Sequence, residues 1–345
     1  MKFKNFLDRK DIKFSVKRYL IDSLSFMAYG LFSSLIIGLI FKTIGTETIK
    51  IFGENTFSDL FVEIGVLAMG LMGPAIGVGV AFALKAPFLV LATSVITGSV
   101  GATLGGPAGA FFAAAIGTEF GKAISKETKL DIILTPAVTL IIGILSAKTI
   151  GPVVSALMSG LGLIIMQATE MQPFFMGIIV SVVMGLALTA PISSAALAIM
   201  LDLSGIAAGA ATIGCSAQMI GFAVIGYNAN KFGGLMSVGI GTSMLQVGNI
   251  VKNPYILIPP TLASAIIAPL STMVFKMTNI PSGAGMGTSG LVGQIGTLTD
   301  MGFTLNNLLL VLILHFVLPA IISLVCYKLM KNKGLIKDED LKLII

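Results

Sequence analysis

Residues 305–327 read LNNLLLVLILHFVLPAIISLVCY, a stretch without any aspartate, glutamate, lysine or arginine. A helix needs about 20 largely apolar residues to cross the hydrocarbon core of a bilayer. The segments from Tyr19 to Phe41 and from Ile132 to Val154 are also long and largely apolar. None of the three alternates polar and apolar residues in the way that strands of a membrane barrel do. They therefore predict helices that span a membrane.

The composition of the whole chain agrees with these segments. Of its 345 residues, 55% are hydrophobic and only 11% are charged, whereas ordinary soluble proteins carry about 25% charged residues. The mean hydropathy is +0.99. This balance excludes a soluble enzyme, a disordered protein and, despite the net charge of +6, a nucleic-acid binder. We predict an all-α polytopic membrane protein with about ten spans, at roughly 30 residues for each span and loop.

Three parts are predicted along the chain. Residues 1–18 are a basic amphipathic segment that either lies on the inner membrane face or only sets the topology. Residues 19–330 are one transmembrane domain, and residues 331–345 are a short cytoplasmic tail. No small-residue cleavage site follows the first apolar run, which favours a retained helix over a signal peptide. Lysine and arginine flank both ends of the domain, and such flanks stay cytoplasmic, so we expect both termini inside.

Glycine and proline are concentrated within the apolar segments. The chain has 40 glycines and 13 prolines. Three clusters, at 70–79, 98–109 and 281–296, are too rich in these residues for regular spanning helices. Irregular backbone at membrane depth is tolerated only where it is buried in protein or lines a cavity. We therefore expect half-helices or re-entrant hairpins in these clusters.

A weak internal repeat relates the two halves of the chain. At an offset of 117 (191 minus 74), Pro74 matches Pro191 and Lys85 corresponds to Asp202. At an offset of 124 (242 minus 118), the triplet ending at Thr118 matches the triplet ending at Thr242. Paired broken helices at corresponding positions are typical of transporters and mark substrate sites. The repeat therefore favours transport.

A small-polar pattern occurs three times in the second half. Glycine is followed by hydroxyl side chains and then by a glutamine at 214–218, 241–246 and 287–294. These groups donate and accept hydrogen bonds without net charge, as a neutral polyhydroxylated ligand requires. The alternative is polar contacts that hold helices together. The predicted substrate contacts are Ser193, Ser216, Gln218, Thr242, Ser243, Gln246, Asn249, Thr288, Ser289 and Gln294.

Three ionisable residues in apolar surroundings are further candidates for substrate binding. Glu170 and Asp202 are carboxylates that either bind the ligand or lie as charged residues at helix ends near the membrane interface. His315 either contacts a substrate hydroxyl or bonds a neighbouring helix. Glu119 and Lys122 are spaced as an i, i+3 pair, for which a surface salt bridge is the simplest interpretation. No metal-ligand spacing, catalytic constellation or cofactor motif is present, and Cys215 and Cys326 indicate no disulfide framework.

Five strings in the chain carry a resemblance to a known family. They are PISSAA at 191–196, GCSAQMIGFA at 214–223, GTSMLQ at 241–246, IPPTLASA at 258–265 and GAGMGTSGLVGQIG at 283–296. They resemble the stand-alone IIC-like membrane subunits of the phosphotransferase system, in the branch that includes the perfringolysin regulator of clostridia. The resemblance covers most of the chain and is densest from about 171 to 299.

The resemblance implies a homodimer in the bacterial plasma membrane, with about ten spans and re-entrant hairpins. In working IIC subunits a carboxylate, a histidine and amides hold the sugar at mid-membrane, and a separate IIB protein phosphorylates it. Transfer is then mostly positioning of a sugar hydroxyl. The sugar-binding histidine motif of that family does not align around His315, and the Glu170 loop is only loosely similar. At most, then, the chain is the translocating subunit of a phosphotransferase.

Three functions are consistent with this sequence. The first is a sugar permease, which either couples to a IIB protein or works as a facilitator. The second is an ion-coupled secondary transporter, for which Asp202 or Glu170 would be essential. The third is a membrane sensor without transport, which would need a cytoplasmic partner.

Overall fold

Helices account for 84% of this computed structural model, which describes residues 2–192 and 194–343. No strand occurs among those residues, so the all-α prediction is confirmed. Ser193, one of the predicted contacts, lies outside the described residues.

The chain divides into two compact units, residues 1–157 and residues 158–345, with the boundary inside one long helix. Unit 1 begins with a short helix, after which π-helical turns at Lys17–Ser23 and Phe32–Ile36 extend two further helices. The helices that begin in unit 1 are α1 (Lys2–Arg9), α2 (Leu24–Leu31), α3 (Ile37–Phe52), α4 (Thr56–Gly70), α5 (Met72–Ala83), α6 (Phe88–Ile124) and α7 (Asp131–Thr169).

Unit 2 contains shorter and more interrupted helices. Turns of 3-10 or π type join several of them, at Ser237–Gly241, Ser243–Gln246, Pro254–Leu257, Leu270–Val274, Ser289–Leu291, Leu312–Val317 and Asp338–Leu341. The helices are α8 (Pro173–Thr189), α9 (Ser194–Met200), α10 (Gly205–Ile225), α11 (Tyr227–Met236), α12 (Val247–Lys252), α13 (Ile258–Pro269), α14 (Pro281–Ala284), α15 (Val292–Met301), α16 (Leu305–Val311) and α17 (Leu318–Asn332).

Six helical stretches of the described residues are long and apolar enough to cross a membrane, or seven if α4 and α5 form one span bent by 50°. The six are Lys17–Lys50, Phe88–Ile124, Asp131–Thr169, Gly205–Ile225, Pro254–Val274 and Leu305–Asn332. The helical membrane class is therefore confirmed, whereas the count of about ten spans is not.

All three glycine-rich clusters have the irregular backbone that their composition predicts. The first contains the bend between α4 and α5. The second contains Gly105 and Gly106, whose backbone angles are not helical within α6. The third forms the hairpin Pro281–Met301, in which only short helices occur around turns at Gly287 and Gly290.

Close packing of two helices explains why glycine is required at positions 185 and 214 of unit 2. A Cβ atom on Gly214 of α10 would lie 1.8 Å from the carbonyl oxygen of Ser181 in α8, and one on Gly185 would lie 2.7 Å from the Gly214 oxygen. These two helices therefore touch through their backbones, as small residues permit in membrane proteins. Contact at this distance leaves α10 buried along most of its length.

The two units share local geometry at positions that the repeat pairs. Lys85 follows α5 with φ of 56°, and Asp202 follows α9 with φ of 47°. Their amides donate to the equivalent carbonyls of Phe82, at 2.9 Å, and Ile199, at 3.1 Å. The next amide in each unit also bonds back into its helix, which gives both ends the Schellman form. This shared geometry is consistent with the internal repeat, which stays a prediction.

The segment after α17 is folded against unit 2. Within residues 335–343, which we call the tail segment, the side chains of Ile336, Leu341 and Leu343 are buried. Asp338 pairs with Lys331 at 2.7 Å and also accepts a hydrogen bond from the Tyr327 hydroxyl. Residues 335–343 of the predicted short tail are thus an integral part of the packing of this unit.

Candidate functional site

Helix α10 carries two buried polar side chains that lead into different clusters. Ser216 and Gln218 are both fully buried. Because residues two apart on an α-helix point about 200° from each other, they lie on opposite sides of α10. The repeated sequence pattern thus produces two separate sites of polar contact.

The first, the Gln218 cluster, consists of Thr189, Gln218, Ser243 and Thr261. The Gln218 amide nitrogen donates to the Thr261 hydroxyl at 2.8 Å. The Thr189 hydroxyl lies 3.4 Å from the Gln218 amide oxygen and 2.8 Å from the Ser243 hydroxyl. Four elements, α8, α10, the 243–246 turn and α13, therefore meet through uncharged hydrogen-bonding groups.

The second, the Gln294 cluster, consists of Ser216, Gln294 and His315. The Gln294 amide nitrogen lies 3.3 Å from the Ser216 hydroxyl and 3.1 Å from Nδ1 of His315. With the nitrogen as donor, Nδ1 is the acceptor and the His315 proton resides on Nε2. His315 is buried and bonds a neighbouring helix, as the simpler of its two predicted roles requires.

Two buried polar atoms of the hairpin Pro281–Met301 have no hydrogen-bond partner among the described residues. The Gln294 amide oxygen is one and the hydroxyl of Ser289 is the other. If the Gln294 amide group were rotated by 180°, its nitrogen instead of its oxygen would lack a hydrogen-bond partner. An unpartnered buried polar group costs about 1–3 kcal/mol, so each is a natural contact for a ligand or a water molecule.

The hairpin that carries Gln294 is fixed against α10 by its backbone. Gly287 has a left-handed φ of 53°, and a Cβ atom there would lie 2.6 Å from the carbonyl carbon of Cys215. The hydroxyl of Thr288 donates to the carbonyl of Gly239 at 2.5 Å. Only glycine allows this approach, which brings the hairpin of Gln294 against the backbone of Cys215 and Ser216.

The family described as Phosphotransferase system, EIIC matches residues 21–343. The chain belongs to this EIIC family. No curated protein and no solved structure matches it. Membership indicates an integral membrane permease subunit for sugar transport within the phosphotransferase system.

Gln246 and Asn249 of this EIIC chain bind the tail segment. The Gln246 amide nitrogen donates to the Leu341 carbonyl at 3.1 Å, and the Asn249 amide nitrogen donates to the Lys342 carbonyl at 3.0 Å. Asn230 donates to the Leu341 carbonyl as well, at 2.8 Å. These amides are therefore occupied by backbone of the same chain, and their assignment to the substrate stays a prediction.

The remaining predicted contacts lie outside both clusters. Thr242 accepts a hydrogen bond from the Met244 amide at 3.2 Å and so begins the 243–246 turn. Glu170 follows the end of α7 and Asp202 follows the end of α9, and both are exposed. The two carboxylates thus sit at helix ends, as the simpler interpretation of each expects.

The EIIC sequence offered little signal for three further polar residues of unit 2. Asn279 is fully buried, and its amide nitrogen donates to the Thr212 hydroxyl at 2.6 Å and to the Gly293 carbonyl at 3.0 Å. Thr189 and Thr261 complete the Gln218 cluster. None of the three belongs to the repeated small-polar pattern, so only the folded structure reveals their partners.

Unit 1 of the EIIC chain corrects one expectation. Lys122 and Glu119 were expected to form a surface pair, but the Lys122 side chain is only 2% exposed and the Glu119 side chain 11%. Their charged atoms are 3.1 Å apart, and Glu119 also accepts a hydrogen bond from the Tyr19 hydroxyl at 2.9 Å. The interpretation as a surface pair is therefore wrong.

The chemistry of the two clusters is that of neutral recognition. Their members are hydroxyls, primary amides and one imidazole, and none is a carboxylate or an ammonium group. Among residues 2–192 and 194–343, no three His, Cys, Asp or Glu side chains are grouped as metal ligands. Such a set can exchange hydrogen bonds with hydroxyl groups and contains no carboxylate or ammonium group.

Proposed function

We propose that this EIIC chain binds and translocates a small polyhydroxylated solute, a sugar, through the Gln294 cluster of unit 2. The observation that carries the proposal is the buried amide oxygen of Gln294, which has no hydrogen-bond partner among the described residues. The hydroxyl of Ser289, on the same hairpin, is also buried without such a partner. One atom accepts hydrogen bonds and the other both donates and accepts them, which matches a sugar hydroxyl. Family membership supports sugar as the class of solute.

The neutral character of both clusters supports this solute over a charged one. Binding of an organic anion or a metal ion would require formal charge in the site. The two carboxylates among the predicted substrate contacts, Glu170 and Asp202, are instead exposed at helix ends. The same argument disfavours ion-coupled transport that depends on these two residues. The Gln218 cluster would provide the second set of hydroxyl and amide contacts along the path.

The wider setting of the proposal follows the family. The chain would work with a separate cytoplasmic IIB protein that phosphorylates the sugar, because neither cluster contains a phosphate carrier. We propose that it is a homodimer in the bacterial plasma membrane, with both termini cytoplasmic because lysine and arginine flank both ends. It would belong to the perfringolysin-regulator-like branch.

Ligand-dependent stability tests the assignment. Purified protein is heated with sugars, polyols or carboxylates, and unfolding is followed with a thiol-reactive dye at Cys215 and Cys326. A sugar present at 100 times its dissociation constant would add about 2.7 kcal/mol to the free energy of unfolding. Gln294→Ala should remove this stabilisation, whereas Gln172→Ala, at an exposed position, should retain it.

Two outcomes would contradict the proposal. If only charged solutes stabilise the protein, the neutral clusters do not select the ligand. If Gln294→Ala and Gln172→Ala keep the full stabilisation by a sugar, the sugar binds elsewhere. Uptake of that sugar by cells with and without IIB then separates phosphotransfer-coupled transport from facilitated diffusion.

A further inference from the structure

A second kind of ligand site occurs in unit 1. A cavity of about 430 Å³ opens where α5, α6 and α7 begin or end, next to the segment that follows α1. Its cationic lining residues are Arg9, Lys10, Lys85, Lys122 and Lys126, and its only acidic ones are Asp11 and Glu127. Five positive charges thus face two negative ones.

Both acidic residues are already neutralised by ion pairs. Glu127 pairs with Arg9 at 2.8 Å and with Lys10 at 2.5 Å, while Asp11 pairs with Arg18 at 2.9 Å. Hydrogen bonds from Lys10 and Arg18 hold the pKa of the Glu127 and Asp11 carboxyls below their ordinary values. Both carboxylates are therefore ionised at neutral pH, and the excess of positive charge remains.

Two of the cations have no ion-pair partner within residues 2–192 and 194–343. Among those residues, no hydrogen bond or ion pair engages the ammonium groups of Lys85 and Lys126, and both side chains are exposed. Their backbones have left-handed φ values of 56° and 60° at the ends of α5 and α6. Non-glycine residues adopt this conformation only where the surroundings hold it, so both lysines start from fixed positions at the rim.

The floor of the cavity is also rigid. The buried ammonium group of Lys122 donates to the carbonyl oxygens of Asp11 and Leu84, each at 2.8 Å, and pairs with Glu119 at 3.1 Å. The Leu84 carbonyl also accepts a hydrogen bond from Arg18 at 2.6 Å. These bonds hold the Lys122 ammonium group in place without a ligand, and Glu119 balances its charge.

Exposed apolar side chains begin the two helices that follow the lining residues Pro87 and Glu127 in the chain. Phe88 at the start of α6 is 80% exposed, and Ile132 at the start of α7 is 72% exposed. In a membrane, exposed apolar residues at the ends of two spans face acyl chains. A cationic cavity beside the first residues of two spans fits a molecule that is anionic at one end and apolar at the other.

We propose that this cavity binds a phosphate oxyanion, supplied by the headgroup of an anionic phospholipid. Phosphate oxygens accept charge-assisted hydrogen bonds from lysine and arginine, and basic pockets at the ends of spanning helices bind such headgroups. Free phosphate offers the same oxyanion but makes no contact with Phe88 and Ile132. The exposed apolar residues therefore favour the lipid as the source.

Lipid nanodiscs test the proposal with the whole chain. Thermal unfolding is compared in discs of phosphatidylcholine alone, in discs that contain phosphatidylglycerol, and in phosphatidylcholine discs with added inorganic phosphate. We expect phosphatidylglycerol to raise the unfolding temperature and phosphate to have little effect. The double variant Lys85→Gln/Lys126→Gln should lose at least half of the rise. The control Lys129→Gln/Lys333→Gln, which removes two exposed lysines outside the cavity, should keep it.

Each other outcome has a definite meaning. An equal rise with inorganic phosphate, lost in the Lys85/Lys126 variant, supports the oxyanion site but makes soluble phosphate its source. An equal loss in the control variant overturns the proposal, because general surface charge would then explain the effect. No response to either ligand overturns it as well.

Discussion

Individual buried side chains form the polar contacts inside unit 2. Ser216, Gln218 and Gln294 could be predicted from the sequence, because hydroxyls and amides recur after glycine. Their division into two clusters could not, since it depends on partners far along the chain, such as Thr189 and His315. Asn279 could not be predicted, because a single asparagine close to a proline is also typical of an exposed loop.

Asn279 also provides a test at the scale of one residue. We expect Asn279→Ala to lower the free energy of unfolding by about 2–3 kcal/mol, because it leaves the buried Thr212 hydroxyl and Gly293 carbonyl without the amide nitrogen that they bond. Thermal unfolding in detergent measures this. The control is Asn306→Ala at an exposed position, and an equal change in both variants would contradict a special role for Asn279.

Whole elements are held by backbone contact where glycine permits it. The glycine clusters could be predicted as irregular from composition, but their contact partners could not, because a pattern of small residues does not name the facing helix. In Gly214→Ala the added methyl group would lie 1.8 Å from the Ser181 carbonyl oxygen and force α8 and α10 apart. We expect a loss of about 1–3 kcal/mol, as for other overpacked cores.

The control for that prediction is Gly233→Ala, where no atom lies within 4 Å of the added carbon. It should leave the unfolding temperature unchanged or raise it slightly, because alanine favours the helix over glycine. If the free energy of unfolding changes equally in Gly214→Ala and Gly233→Ala, the contact between α8 and α10 has no effect of its own. The two helices would then tolerate a wider separation, and their close contact would contribute little to stability.

The tail segment is an element whose attachment depends on pH. Hydrogen bonds from Lys331 and Tyr327 hold the pKa of Asp338 below its ordinary value of 3.8. A lowered pKa means that the contact stabilises the folded tail above the ordinary value and is lost as pH falls through the lower one. We therefore expect a spin label at Lys342→Cys, with Cys326 replaced by serine, to become mobile only below about pH 4.

Substitution of the acid checks the cause of that transition. Asp338→Asn should increase label mobility at neutral pH and abolish its acid step, because the charged partner of Lys331 is gone. Glu339→Gln, at an exposed neighbouring position, should keep the step. A step that persists in Asp338→Asn would assign the pH dependence to another group.

At the scale of the whole molecule, the repeat joins two units of different chemistry. At the offset of 124 (246 minus 122), Lys122 of unit 1 corresponds to Gln246 of unit 2. Both hold a flanking segment by a backbone carbonyl, Asp11 at 2.8 Å and Leu341 at 3.1 Å respectively. The membrane class could be predicted from the sequence, whereas the repeat stays a prediction. The charged pair in unit 1 was expected at the surface because burial cannot be inferred from spacing alone.

Amide hydrogen exchange can separate the roles of the two units. Gly101 of unit 1 stands at the repeat position of Gln218 (218 minus 117), so unit 1 lacks this amide contact for a sugar. We expect the stabilising sugar to slow exchange at 213–219 and 287–297 and to leave unit 1 unchanged. In Gln294→Ala the added protection should vanish. Equal protection of both units by the sugar would contradict a binding site confined to unit 2, since the contacts that the proposal requires exist only there.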